Sequence, residues 1–189
     1  DDPEAQALEM GAPVNMVIGD FDGDGVDDIA AVVLTGFGAD QALALSLLSG
    51  DGAGAFDYPS ALDPISDDVF EGYFPFEIAS KELAAGDFDG DGDLDLAMTS
   101  TRDFVLLLEN DGTGSFSTPA GGSIATSTGD SGDGWISALK LADFDADGDV
   151  DAAYTSQDPD RRLIWLENDG SGVFSANATS TLSPAGDNA

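Results

Sequence analysis

The stretch Asp20-Phe-Asp-Gly-Asp-Gly-Val-Asp-Asp28 is an acidic loop pattern that the chain repeats twice more, beginning at Asp87 and at Asp143. Each copy has Asp at positions 1, 3, 5 and 9 and Gly at position 6. Residues 1, 3 and 5 of such a loop converge on one point, Gly at position 6 permits a sharp turn, and Asp at position 9 closes a cage of oxygen atoms. Solvated Asp-Gly turns have a similar composition, but three copies in one register favour a repeated cation site.

The pattern predicts carboxylate ligands at positions 1, 3, 5 and 9 and a backbone carbonyl ligand at position 7. The predicted ligands are Asp20, Asp22, Asp24, Val26 and Asp28 in the first loop, Asp87, Asp89, Asp91, Asp93 and Asp95 in the second, and Asp143, Asp145, Asp147, Asp149 and Asp151 in the third. Oxygen ligands select hard cations, and a flexible cage with many ligands suits Ca²⁺ better than Mg²⁺, so we expect one calcium ion per loop. The chain has no His or Cys that would make a softer site.

The loops begin like EF-hand loops but do not end like them. An EF-hand loop has a bidentate Glu at position 12, where this chain has Ala31, Met98 and Tyr154. The flanking residues also resemble strands rather than helices.

The charge of the chain limits its partners. Its 189 residues carry a net charge of −33, and only five residues are Lys or Arg. Three calcium ions would change the net charge only to −27, which indicates a saline or calcium-rich medium, or a solubilised surface. Five basic residues are too few for a nucleic-acid footprint or for an anionic membrane surface, so neither is an expected partner.

The location is predicted from the metal sites. Calcium loops of this kind bind at roughly 10⁻⁴ to 10⁻³ M in extracellular modules, and cytosolic calcium would leave them empty. No apolar run in the sequence approaches the length of a transmembrane helix. The sequence therefore predicts a secreted, extracellular or cell-surface protein.

Short apolar runs flank the loops and recur with a long period. Each loop is followed by two apolar runs and a Gly-rich turn, and the turn residues Asp51, Asp111 and Asp169 are 60 and 58 positions apart. A period of about 60 with four strand signals per unit is typical of propeller blades. We expect an all-β fold of about three four-stranded antiparallel blades.

The predicted organisation follows from this period. It has an extended arm over 1–13, three repeats within 14–176 at about 14–60, 80–119 and 136–176, inserts over 61–79 and 120–135, and a tail over 177–189.

These units resemble FG-GAP/VCBS repeats, the family that includes the blades of integrin α-subunit propellers. The resemblance is carried by Gly19-Asp-Phe-Asp-Gly-Asp-Gly25, by its counterparts at 86–92 and 142–148, and by the Asn-Asp-Gly-x-Gly-x-Phe turns. It implies a calcium loop between the first two strands of each blade, with ligands at the positions named above. The third copy has Ala146 where the others have Gly, and the first turn has Gly50 where the others have Asn.

Three blades are fewer than the 4–8 of typical closed propellers, and they would leave two sheet edges unpaired. We therefore expect neighbouring chains or a longer parent chain to complete the structure, as a ring or as a filament. The arm and the tail are candidates for adding a strand to a neighbouring sheet.

The function expected from these features is that of a self-assembling, calcium-stabilised extracellular structural or adhesion protein. Members of the resembled family include adhesion receptors, lectins and appendages of enzymes, so the family does not fix the function. The alternatives are a calcium-dependent carbohydrate- or protein-binding module, lectin-like or an adhesin, and a fragment of a larger propeller.

Three further groups of residues bear on function. An aromatic cluster of Phe70, Tyr73, Phe74 and Phe76, with Trp135 and Trp165 elsewhere, could stack on sugars or partner proteins, or could pack between blades. Asn177 begins an Asn-Ala-Thr pattern that predicts N-glycosylation. Catalysis is not expected, because the usual His and Cys bases and nucleophiles are missing and close Asp pairs are better used on a metal.

Overall fold

The apolar, β-branched residues on either side of each acidic loop form antiparallel strands, so that the loop connects the strands of a hairpin. A computed structural model describes residues 12–35, 42–57, 63–64, 82–99, 104–119, 123–125, 136–156 and 162–181. The strands are β1 (Ala12–Gly19), β2 (Asp28–Thr35), β3 (Ala42–Gly50), β4 (Phe56–Asp57), β5 (Asp63–Pro64), β6 (Leu83–Gly86), β7 (Asp95–Thr99), β8 (Phe104–Asn110), β9 (Phe116–Ser117), β10 (Ser123–Ala125), β11 (Ile136–Ala142), β12 (Asp151–Ser156), β13 (Arg162–Asn168) and β14 (Phe174–Thr181). Within these ranges there is no helix.

The strands form three antiparallel sheets, which we call blades 1 to 3. Blade 1 has the order β1-β2-β3, and the short strands β4 and β5 share the fourth position by pairing with different parts of β3. Blade 2 has the order β6-β7-β8, with β9 and β10 sharing the position next to β8. Blade 3 has the order β11-β12-β13-β14. The predicted all-β fold of four-stranded antiparallel blades is confirmed, while completion by other chains remains a prediction.

The fourth strand differs between the blades because β4 and β9 are each only two residues long, whereas β14 has eight residues. In blade 1, β4 pairs only with Ser49 and Gly50 at the end of β3, and the backbone of Ala44 and Leu45 pairs with β5 instead. Strands β5 and β10 therefore lie within the segments predicted to be inserts. In blade 3 a single strand, β14, covers all of β13.

Strand β14 extends to Thr181, beyond the limit of the third repeat predicted at 176. Trp165 pairs with Ala178 and Leu166 with Ala176, so the register shifts at Asn177. Asn177 is thus part of the third blade, at a β-bulge.

Most of the hydrophobic core lies between the blades, and a small third cluster of Ala31, Val33 and Ala44 lies on the other face of blade 1. One cluster joins blades 1 and 2, and its buried members are Phe21, Ala30, Val32, Leu45, Leu83, Leu96, Met98, Leu106 and Leu108. The other joins blades 2 and 3, and its buried members are Phe88, Ala97, Val105, Leu107, Ile136, Leu139, Ala152, Tyr154, Ile164 and Leu166. Successive residues of β7 and β8 belong to opposite clusters, as alternating side chains of a strand must when both faces of a sheet are covered. Blade 2 is therefore packed between the other two.

Candidate metal centre

The first aspartate of each loop folds the loop back on itself. The carboxylate of Asp20 accepts the backbone N–H groups of Gly23 at 2.9 Å and Gly25 at 3.0 Å. Gly25 has a φ of 87°, a left-handed conformation that glycine adopts without strain. Asp87 and Asp143 accept the same two N–H groups of their own loops. These local hydrogen bonds fix the position-1 carboxylate inside each loop.

The aspartates at positions 3 and 5 make shorter-range bonds. Asp22 accepts the N–H of Asp24 at 3.2 Å, and Asp24 accepts the N–H of Val26 at 2.8 Å. The second and third loops repeat both bonds. Each of these bonds orders the turn that follows its acceptor, in the manner of an Asx turn.

The aspartate at position 9 is fully buried in all three loops. In the first loop the two carboxylate oxygens of Asp28 accept N–H groups from Phe21 and Gly50, each at 2.9 Å. Asp95 and Asp151 make the corresponding pairs of bonds, to Phe88 and Asn110 and to Phe144 and Asn168. One carboxylate thus ties the start of the loop to the end of the third strand.

Three carboxylates of each loop converge. Oxygen atoms of the aspartates at positions 1, 3 and 9 lie within 4.8 Å of one another, and the three triads are Asp20, Asp22 and Asp28; Asp87, Asp89 and Asp95; and Asp143, Asp145 and Asp151. The position-5 aspartates, Asp24, Asp91 and Asp147, are exposed and lie outside the triads. The structure therefore brings together three of the five ligands predicted for each loop. The position-5 carboxylates and the position-7 carbonyls of Val26, Asp93 and Asp149 remain predictions.

The electrostatics of the loops favour a cation. Burial raises the pKa of Asp95 to about 6, against the lowering effect of the N–H groups of Asn110 and Phe88. Desolvation, followed by repulsion from Asp91 and other loop carboxylates, raises the pKa of Asp93. Desolvation is also the main cause of the raised pKa values of Asp145 and Asp149 in the third loop. A bound divalent cation would relieve both the burial cost and the repulsion.

A contact that the sequence did not predict joins each of the first two loops to the following blade. The side-chain amide of Asn110, in β8, donates to the carbonyl oxygen of Phe21 in the first loop at 2.8 Å and to that of Leu94 in its own loop at 3.1 Å. Asn168 makes the equivalent bonds to Phe88 and Val150, at 2.8 and 3.1 Å. We call these contacts joint 1, between loop 20–28 and turn 110–114, and joint 2, between loop 87–95 and turn 168–172. The only sequence signal for them was the Asn that begins the second and third turns.

Aromatic rings complete both joints. The buried ring of Phe21 meets the edge of Phe116 at a centroid distance of 5.9 Å, and Phe88 meets Phe174 at 5.8 Å. In the third loop the corresponding ring, Phe144, is 47% exposed and meets Trp165 of its own blade at 6.5 Å.

The outer faces of blades 1 and 3 lack the residues that make the joints. Blade 1 has Asp27 and Gly50 where blade 2 has Leu94 and Asn110. Leu94 packs so closely on Gly19 that a Cβ atom there would lie 2.6 Å from it.

On the other side, Ala142 and Ala146 of blade 3 stand where blade 2 has Gly86 and Gly90. A Cβ atom at Gly90 would lie 3.3 Å from the carbonyl oxygen of Gly170 in the next turn, which is tight. Ala146 itself has a φ of 66°, a conformation in which a Cβ atom is strained.

The other aromatic residues singled out in the sequence differ in whether the structure describes them. The aromatic cluster of Phe70, Tyr73, Phe74 and Phe76, and also Trp135, are outside the described residues. Trp165 lies on β13, half-buried against Phe144.

The family model of the FG-GAP-like repeat matches residues 87–154, from the first residue of the second loop to three residues beyond the third. No curated protein matches the chain. Within the described residues, no helix is long and apolar enough to cross a membrane. The matched segment contains two of the three carboxylate triads and the second blade from its loop onward. Residues 87–154 are therefore similar to an FG-GAP-like repeat.

Proposed function

We propose that the chain is a calcium-stabilised, propeller-type module of an extracellular structural or adhesion protein, without catalytic activity. The observation that carries this proposal is the carboxylate triad, which occurs in three loops with the same hydrogen bonds and with oxygen atoms within 4.8 Å of one another. Because the three loops connect strands inside the blades, an ion bound there acts on the stability of the fold.

Calcium fits the donor set better than other common cations. The triads offer carboxylate oxygens alone, which suit hard cations. The position-5 aspartates are exposed in all three loops, so water can reach the triads' surroundings and supply further ligands, and calcium accepts six to eight. Each nine-residue loop contains five aspartates and a formal charge of −5, which one calcium ion would reduce to −3.

The extracellular setting is supported by the repeat family and by the metal. FG-GAP-like repeats are typically extracellular. Loops of this type bind calcium usefully at about millimolar concentrations, which occur outside cells.

Self-association is proposed from the outer face of blade 1. Val14, Met16 and Ile18 alternate along β1, and Met16 and Ile18 are 62% and 60% exposed. Apolar residues in such a row favour contact with another protein surface, here a second copy of the chain. Because the joint residues differ at the outer faces, this contact is expected to differ from joints 1 and 2. Sedimentation in calcium should show an oligomer, and a monomer at all concentrations would contradict self-association.

The calcium proposal is tested by thermal unfolding with calcium and with EDTA. Calcium at 100 times its Kd adds about 2.7 kcal/mol per site, and one kcal/mol shifts Tm by about 2–4 °C in a chain of this size. We therefore expect chelation to lower Tm by about 5–10 °C for each site that calcium occupied.

Two variants make this test specific. Asp89→Asn removes a triad carboxylate and should reduce the Tm difference between calcium and EDTA. Asp57→Asn removes one exposed charge in β4, away from the loops, and should leave the difference unchanged. A wild-type melting curve that is the same in EDTA would contradict the proposal.

A further inference from the structure

The side-chain amides of Asn110 and Asn168 each hold a peptide group that belongs to the loop of the preceding blade. Both side chains are almost completely buried, and their donor distances to Phe21 and Phe88 are both 2.8 Å. A buried donor that lost its acceptor would be costly, so each amide fixes the position of the carbonyl that it contacts.

The carbonyl that Asn110 holds lies between two residues of the first triad. Phe21 separates Asp20 from Asp22, and its N–H donates to Asp28, the third member of the triad, at 2.9 Å. The backbone of Phe21 is therefore fixed at its N–H by its own blade and at its C=O by the following blade, so that the peptide groups on both sides of this residue are held. The positions of Asp20 and Asp22 depend on both contacts.

The second joint repeats this arrangement with a useful difference. The carbonyl oxygen of Phe88 accepts from Asn168 and also from the N–H of Gly172, at 2.9 Å. In joint 1 the N–H of Gly114 instead donates to the side-chain oxygen of Asn110, whereas the side-chain oxygen of Asn168 has no hydrogen-bond partner. The bond from the Asn amide to the Phe carbonyl is thus common to both joints, while joint 2 has a second bond between the blades and joint 1 has a bond within its turn.

The third loop has no such contact within the part of the chain that the structure describes. Phe144, which occupies the position of Phe21 and Phe88, is half-exposed. Its neighbours Asp143 and Asp145 are exposed as well. The three triads are therefore alike in sequence but differ in what lies behind them.

We propose that Asn110 and Asn168 are positioning residues for calcium in the loop of the preceding blade, so that the first and second metal sites are each built from two blades. This inference rests on the proposed function. Calcium binding by one loop and packing of the next blade should then stabilise each other. Both depend on the same backbone carbonyl, that of Phe21 or Phe88, being held in place.

The test is a calcium titration followed by NMR of ¹⁵N-labelled protein. The amides of Gly25, Gly92 and Gly148 each donate to the position-1 aspartate of one loop and so report on that loop alone. Asn110→Ala should weaken calcium binding by the first loop, reported by Gly25, by about fivefold, which is the equivalent of one hydrogen bond. Calcium binding by the third loop, reported by Gly148, should not change. Asn168→Ala should weaken calcium binding by the second loop, reported by Gly92, by the same factor.

Matched controls come from the same turns. Thr113→Ala and Ser171→Ala each remove a hydroxyl that donates to the aspartate of its own turn, at 2.6 and 2.7 Å, and touch no loop carbonyl. These variants should leave all three affinities unchanged.

The outcomes separate the inference from the proposed function. Absence of calcium binding at all three glycines of the wild type would end the proposed function. Calcium binding in the wild type with an unchanged affinity at Gly25 in Asn110→Ala would overturn only the inference. An equal loss at all three glycines, or failure of both Asn variants to fold in saturating calcium, would also overturn it, because the amides would then be general determinants of folding.

Discussion

A single carboxylate at the end of each acidic loop holds distant parts of a blade together. In blade 2, Asp95 accepts N–H groups from Phe88 at 2.8 Å and Asn110 at 2.9 Å and also belongs to the metal triad. Its burial raises its pKa to about 6. The same residue is therefore a structural acceptor, a proposed ligand and a titrating group.

This raised pKa predicts how the calcium-free protein responds to pH. A carboxyl group whose pKa is higher in the folded state than its ordinary 3.8 stabilises the fold most below pH 4 and loses that contribution as pH rises through about 6. We expect the Tm in EDTA to be lower at pH 7.5 than at pH 5, and Asp95→Asn to show a smaller difference.

Calcium reverses the trend, because it binds the ionised carboxylate. The calcium affinity of the second loop, measured from the Gly92 amide, should rise between pH 5 and 7.5. The turn aspartates Asp51, Asp111 and Asp169 have pKa values lowered by hydrogen bonds, so they titrate below this range. A Tm in EDTA that rises between pH 5 and 7.5 would contradict the assignment.

At the scale of single residues, the sequence predicted what is local. Positions 1, 3 and 9 fall within nine residues, and their convergence follows from loop geometry alone. The second role of position 9 and the contact of Asn110 with Phe21 could not be predicted, because the latter residues are 89 positions apart. Such a pairing depends on how the blades stack, which a single repeat does not encode.

At the scale of elements, the two joints unite a loop, a turn and a pair of rings into one packing unit. Phe88 is buried against Phe174, whereas Phe144 at the same loop position is 47% exposed. The strands themselves follow from the apolar runs of the sequence. The sequence did not predict that the fourth strand is divided between β4 and β5 in blade 1 and between β9 and β10 in blade 2. Such short strands carry almost no periodic signal.

The unequal burial of the loop phenylalanines gives a direct comparison. Phe88→Ala should lower the free energy of unfolding by about 3–5 kcal/mol, since it empties a packed site between two blades. Phe144→Ala should cost about 1 kcal/mol, because the ring is half in solvent already. Urea unfolding in calcium measures both. Equal losses would show that the third loop is as well covered as the second.

At the scale of the whole molecule, a net charge of −33 opposes compaction of three thin sheets. Five basic residues can compensate little of the charge of 38 acidic ones. Among the described residues, Lys140 lies 3.7 Å from Glu82 in a largely exposed ion pair. The stacking of blades is thus expected to depend on ions in general as well as on calcium.

Added salt should therefore stabilise the calcium-free protein. Raising NaCl from 0.01 to 0.15 M shortens the Debye length from about 30 to 8 Å, which screens repulsion between the blades. The expected result in EDTA is a Tm that rises by several degrees, with a smaller rise when calcium is present. KCl at equal concentration is the control for specific sodium binding. A Tm in EDTA that is independent of salt would show that the acidic residues are too far apart to interact.

The joint residues also differ in how they are shared among the repeats. Blade 2 has joint residues on both of its faces. Leu94 and Asn110 contact the preceding blade, and Gly86 and Gly90 leave room for the close approach of the following blade. Duplication of the gene segment for this middle unit would therefore lengthen the array without any new contact chemistry, whereas duplication of either outer unit would create a mismatched boundary.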